Sequence, residues 1–399
     1  MLQRGHKYVQ RKRIRTMELA QQRPIRILQV VGGMKRAGTE TWLMHLLRHI
    51  DRDRFQMDFL VHTTQSYPYS DEILALGSKI IPCLDASKPW LYASNFNRIL
   101  REYGPYDVIH SHIHHFSGYI MRLAQLAGVP VRITHSHLDT LQLDAEAGFL
   151  RHWYLKLMKQ WIARYATIGL AASRKAAVSL FGSTWSSDPS RKILYCSVDL
   201  TFFQNLVASV DVLAEFGIAN DAFVVGHIGR FEAQKNHEFL LEIASELAKQ
   251  EPKMRLLLVG DGPLRPNIEQ KIADLGLTDR VIFAGVRHDV PQLMLNVMDV
   301  FLFPSLHEGL PLVLLEAQAA SLPCVFSDVI TEEVDVFKPL MQRMCLSQSA
   351  SAWAESVLAT RSNKLVMRKF EALNKMEQSP FNIQIGLTNL TELYTLALS

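Results

Sequence analysis

Twice along this chain, short β-branched runs alternate with longer amphipathic stretches, the pattern of βαβ units around a parallel sheet. The first series predicts strands at residues 25–31, 55–61, 79–84, 106–112, 131–135 and 167–173. Between the first two, Leu43, Leu46, Leu47 and Ile50 repeat at helical spacing. The alternation then restarts, with strands expected at 223–229, 255–261, 281–286, 299–305, 323–328 and 342–346. At 399 residues the chain is too long for one average core. The expectation is α/β: an N-terminal Rossmann-like domain over 25–195 and a C-terminal one over 196–379, with parallel sheets facing a central cleft. Residues 380–399 read as a closing helix, with Ile383, Leu387, Leu390, Leu393 and Leu396 at three- and four-residue spacing.

Charge narrows the function classes. Residues 1–24 hold seven of the 43 Lys/Arg and one of the 39 Asp/Glu, a net +6 that leaves the remaining residues at −2. A body this close to neutral does not advertise a nucleic-acid face. The basic tail suits peripheral contact with anionic lipid. There is no uncharged apolar run of about 18 residues, so no membrane span is expected. Cys83, Cys196, Cys324 and Cys345 are widely spaced and read as reduced thiols in a cytoplasmic enzyme.

Ligands of open α/β sheets bind at the carboxyl ends of the strands, so the loops there carry the candidate chemistry. The strongest runs from His307 to Glu316, where Glu308 and Glu316 flank a strand-to-helix turn. Gly309 permits close backbone approach, Pro311 suits a first helical turn, and free amides there could hold phosphate or sugar oxygens. Next comes the loop from Gly229 to Asn236, where Arg230 and Lys235 read as a fork for a diphosphate. A third, Gly-rich turn holds Gly32, Gly33 and Gly38 after the first strand, without the G-x-G-x-x-G spacing of dinucleotide sites. Histidines crowd two strand ends, at His110, His112, His114 and His115 and at His135 and His137. No recognised motif spacing completes a metal shell there, so no metal is expected, and His135 and His137 are the ones placed to touch a ligand. Neither a G-x-S-x-G elbow nor a G-x-x-x-x-G-K-[ST] phosphate loop occurs.

Together these residues resemble the retaining glycosyltransferases of the GT-B fold, in the large family four whose hallmark is E-x7-E. Within it, residues 30–41, 55–62, 106–112 and 132–137 look like the enzymes of bacterial capsular and exopolysaccharide synthesis. The resemblance implies sugar transfer from a nucleotide diphosphate sugar to an acceptor hydroxyl with retained anomeric configuration, without metal or other cofactor. It matches Arg230 and Lys235 to the diphosphate-binding pair, Glu316 to the carboxylate on the ribose hydroxyls and Glu308 to the one gripping the donor sugar. It also matches the amides of Gly309, Leu310, Pro311 and Leu312, as a segment, to sugar and phosphate. Gly229 belongs to the phosphate loop, Val286 to the loop meeting the base, and Gly32, Gly33 and Gly38 to the loop near phosphates and acceptor. The family's ligand-touching histidine falls at His135 or His137.

Implied partners are a nucleotide-sugar donor, a carbohydrate or lipid-linked saccharide acceptor, and the inner face of the cell membrane, with no nucleic acid. Cys196-Ser197 stands where relatives often have Asn-Gly, and beyond about residue 335 the match fades. A nucleotide-sugar epimerase and a non-catalytic binding protein on the same fold are the alternatives, and the two spaced glutamates argue against the first.

Overall fold

The computed structural model describes residues 23–204, 212–362 and 369–398. The basic tail expected at 1–24 lies almost wholly outside them. The chain forms two compact units, one ending at Tyr195 and regaining the chain from Gly386 onward, the other spanning Cys196–Ile385.

The first unit is a seven-stranded sheet in the order β3-β2-β1-β4-β5-β6-β7. Its strands are β1 Ile25–Val31, β2 Phe55–Val61, β3 Ile80–Pro82, β4 Val108–Ser111, β5 Val131–Ser136, β6 Ile168–Ala171 and β7 Arg191–Ile193, every pair parallel. β1 is apolar almost throughout because helices cover both faces of a parallel sheet, and Ile27, Leu28 and Val30 are fully buried. β7 is an addition to the six strands expected. Its three residues, one of them the exposed Lys192, carry no apolar run, and it is recruited by pairing Gly169 with Arg191. A Cβ on Gly169 would stand 2.6 Å from the Arg191 side chain, so this edge needs glycine.

The second unit repeats the plan with six parallel strands in the order β10-β9-β8-β11-β12-β13. These are β8 Phe223–Ile228, β9 Met254–Val259, β10 Val281–Gly285, β11 Val300–Phe303, β12 Cys324–Ser327 and β13 Met341–Met344. Its core joins Val225, Leu256, Leu258 and Leu302 to Leu240, Leu247 and Trp353 of the covering helices. In each unit the strand order reverses beside the first strand, between β1 and β4 and between β8 and β11. Those two switch points are where open α/β sheets leave a crevice for ligand.

The last helix, Ile383–Leu396, returns to the first unit. Tyr394 is fully buried there, its ring 6.4 Å from that of Phe55. All four cysteines are free thiols.

Candidate active site

The loop after β8 is held by backbone. Phe231 is buried, its N–H donates to the Asp261 carbonyl at 3.0 Å, and its own carbonyl accepts from Leu264 N–H at 3.0 Å. The loops after β8 and β9 pack so closely that a Cβ on Gly260, already at φ +133°, would fall 2.1 Å from the Gly229 carbonyl oxygen. Asn236 adopts the left-handed conformation at φ 54° where the helix His237–Gln250 begins, and its side-chain amide donates to the Pro304 carbonyl at 3.2 Å.

That last bond reaches the loop after β11, and four more follow. Leu306 N–H donates to the Gln234 carbonyl at 2.9 Å, while Gln234 Nε2 donates to the His307 carbonyl at 2.8 Å and to Glu308 Oε2 at 3.1 Å. Lys235 Nζ donates to Glu308 Oε1 at 2.6 Å and lies 4.6 Å from the centroid of the Phe303 ring. The side chains of this ion pair are only 16% and 8% exposed. Both oxygens of Glu308 are thus held by the neighbouring loop. Arg230 points elsewhere: it pairs with Glu232 at 2.6 Å and stays 46% exposed. The sequence suggested a fork of Arg230 and Lys235, but in the structure each cation is neutralised by its own carboxylate.

The helix Leu312–Ala319 starts one residue later than expected, with Pro311 in the capping position and no side chain capping its N–H groups. One turn in stands Glu316. Its carboxyl has no protein partner among the described residues, and burial pushes its pKa up to about 7. Val286, half exposed after Gly285, ends the third loop at this edge of the sheet.

In the first unit the Gly-rich turn follows β1. A Cβ on Gly33 would meet the Tyr67 ring at 2.7 Å, whereas among the described residues nothing beyond the adjoining chain lies within 4 Å of one on Gly32 or Gly38. Parallel pairing sets Gln29 of β1 beside His110 of β4, and β4 in turn neighbours β5. His110, His112, His135 and His137 therefore gather into one cluster, whereas the sequence separated them into two runs. His135 and His137 have ring centroids 4.1 Å apart, and Trp42 closes one side at 5.1 Å from His135. His137 Nε2 bonds His112 Nδ1 at 2.8 Å, His112 Nε2 bonds Gln29 Oε1 at 2.8 Å, and Gln29 Nε2 donates to the Tyr394 hydroxyl at 3.2 Å. The same hydroxyl lies 2.8 Å from His110 Nδ1. Burial, reinforced by neighbouring imidazoles, holds all four histidines well below their usual range, so they are neutral.

Gln29, Trp42, Gln234 and Tyr394 escaped the sequence reading. Gln29 could have been found, being the one amide in an apolar strand at a switch point. Tyr394 is joined to His110 of the cluster across a sequence separation of 284, and no local pattern announces that.

Known proteins agree with this architecture. The profile of the family described as Glycosyltransferase Family 4 matches residues 36–182, and that of Glycosyl transferases group 1 matches residues 222–363. The chain is 36% identical over 379 residues to EpsF of Bacillus subtilis (strain 168), named as a glycosyltransferase, covering 93% of this chain and 97% of that one. It is 25% identical over 377 residues to the capsular polysaccharide biosynthesis glycosyltransferase CapH of Staphylococcus aureus, covering 93% and 98%. Among solved structures, Anabaena HepE in complex with UDP and glucose superposes with a TM-score of 0.77 at 18% identity, over 93% of this chain and all of that one. With two Rossmann-like units and a relative this similar along nearly its whole length, the chain belongs to the family 4, or group 1, glycosyltransferases and has their GT-B fold.

Proposed function

We propose that this glycosyltransferase moves a sugar from a uridine diphosphate sugar to a saccharide hydroxyl with retention of configuration, in the synthesis of a polysaccharide or glycolipid. The Lys235–Glu308 pair carries the reading, because it sets a cation and a carboxylate side by side at the switch point of the second sheet. Cleavage of the anomeric C–O bond sends its electron pair to the diphosphate and builds positive charge on the sugar. Lys235 and Arg230 stabilise the departing diphosphate, so no metal is needed for that step. Glu308 grips donor-sugar hydroxyls, Glu316 the ribose, the segment from Gly309 to Leu312 the sugar and phosphate, and the backbone at Val286 the base. The acceptor oxygen attacks the same face and its proton passes to the departing phosphate oxygen. In the first unit the half-buried His137 is the side chain assigned to ligand, with the turn at Gly32, Gly33 and Gly38 beside it.

The choice of uridine draws support from HepE, whose structures hold UDP and UDP-glucose. A lipid-linked acceptor draws support from the Escherichia coli galactosyltransferase acting on GlcNAc-diphosphoundecaprenol, 29% identical over 233 residues. Among the described residues no helix is long and apolar enough to cross a membrane. The helix Phe149–Tyr165, however, suits peripheral contact at a membrane face. It carries no Asp or Glu, and it exposes Phe149 (75%), Leu150 (82%) and Trp153 (58%) beside Arg151 and Lys156. Apolar and aromatic side chains flanked by cations are what an interfacial helix needs.

The test is to supply UDP-glucose or UDP-galactose with a lipid-linked saccharide acceptor and to read the new linkage by NMR. An α-linked product made at the rate of UDP release is expected from an α-linked donor. A β-linked product would overturn retention, and hydrolysis alone would overturn transfer.

A further inference from the structure

We propose that His110, His112 and His135 form a site for a late divalent transition metal ion, Zn2+ or its chemical neighbours. Each offers one ring nitrogen, and these nitrogens lie within 4.8 Å of one another. Two of the three rings carry a buried nitrogen without any hydrogen-bond partner, Nε2 of His110 and Nδ1 of His135. Orphaned buried nitrogens of this kind are rare and call for a cause.

The second shell shows which nitrogens are bare. His135 Nε2 faces the Leu194 carbonyl at 3.2 Å, and a carbonyl only accepts. The proton is therefore on Nε2 and the lone pair on the unpartnered Nδ1. His112 Nε2 donates to Gln29 Oε1, which leaves its Nδ1 as a lone pair now engaged by His137. When His110 Nδ1 donates to the Tyr394 hydroxyl, its Nε2 is bare as well. With His110 in that tautomer each ring has an oxygen partner for one nitrogen and turns the other toward the cluster, where His112 Nδ1 is the one still shared with His137, and metal-ligating histidines are held by such oxygen partners. Imidazole nitrogen donors select Zn, Cu, Ni or Co over Mg or Ca. His112 is half-buried and supplies the way in, while the other two rings are fully enclosed. A tetrahedral ion with Zn–N bonds of about 2.0–2.1 Å needs nitrogens roughly 3.4 Å apart, so the rings must draw in by about an ångström and His112 must release His137. Trp42, Gln29 and Tyr394 would brace that closure.

The site belongs wholly to the first unit, so its fate is independent of the donor site in the second. The experiment is equilibrium dialysis of the untagged full chain against Zn2+, and against Co2+ with its visible spectrum recorded. One ion per chain, a rise in Tm with Zn2+ and the absorption of tetrahedral nitrogen-bound Co2+ are expected. His110→Gln and His135→Asn should abolish all three. Tyr394→Phe, which keeps the ring and removes only the hydroxyl beside His110, should weaken Zn2+ about 10- to 100-fold. Substoichiometric uptake by the wild type would overturn the proposal. So would unchanged uptake and spectrum in the histidine variants or, should those variants not fold, unchanged affinity in Tyr394→Phe.

Discussion

Lys235 Nζ meets Glu308 Oε1 at 2.6 Å, and this nearly buried pair ties the loop after β8 to the loop after β11. Breaking a buried pair by removing one member strands the other's charge, which typically costs about 3–5 kcal/mol. Lys235→Ala should therefore lose both stability and turnover. A fall of roughly 10²–10³ in kcat is expected from the missing cation, together with a lower Tm in scanning calorimetry. Near-normal activity would remove Lys235 from the leaving-group role.

Arg230 makes the contrasting case. Its partner Glu232 and its own side chain are more than a third exposed, and surface pairs are worth about 0–1 kcal/mol. Arg230→Ala should leave Tm almost unmoved yet reduce kcat by roughly 10²–10³. Equal losses of stability in the Arg230 and Lys235 variants would contradict the difference in burial between them.

Glu316 ties stability to pH. Its carboxyl is pushed up to about 7 by burial, whereas an unfolded glutamate titrates near 4.3. Between those values the folded state binds more protons than the unfolded one, so this group's contribution falls as pH rises from about 4.3 to about 7 and is flat above. At 1.36 kcal/mol per unit the loss is about 3.7 kcal/mol. Glu316→Gln should be more stable than the wild type at pH 8, equal to it near pH 4, and weaker in nucleotide binding throughout. Urea melts across pH settle the first two points. A wild type whose stability difference from the Gln variant does not change with pH would contradict the burial effect.

The exposed face of the helix Phe149–Tyr165 predicts sedimentation with phosphatidylglycerol vesicles and much weaker binding to phosphatidylcholine. Burying a large apolar side chain gives about 1.5–3 kcal/mol. Leu150→Glu combined with Trp153→Glu should therefore reduce partitioning at least about tenfold. Equal binding by the double variant would point to another surface.

Sequence periodicity located twelve of the strands because most are apolar runs, those in the middle of each sheet covered on both faces, as Ile27–Val30 is. β7 stayed hidden because Arg191, Lys192 and Ile193 owe their pairing to the gap left by Gly169 rather than to hydrophobicity. The loops bearing Arg230, Lys235, Glu308 and Glu316 were legible from their position after β8 and β11. Which cation meets which carboxylate was not, since that depends on the fold of the loop from Gly229 to Asn236 against Phe231 and Asp261. The histidine cluster was half legible. The residues stood out, but their convergence comes from strand adjacency and from Tyr394, which the last helix brings back from the far end of the chain.

The most direct measurement is thermal unfolding of the wild type and of Glu316→Ala with UDP, GDP and ADP separately. A nucleotide at 100 times its dissociation constant adds about 2.7 kcal/mol. UDP should raise the wild-type Tm well above any shift given by GDP or ADP, and should leave Glu316→Ala unshifted. Stabilisation by none of the three, or an equal UDP shift in the variant, would contradict a donor site built on Glu316 and the Lys235–Glu308 pair.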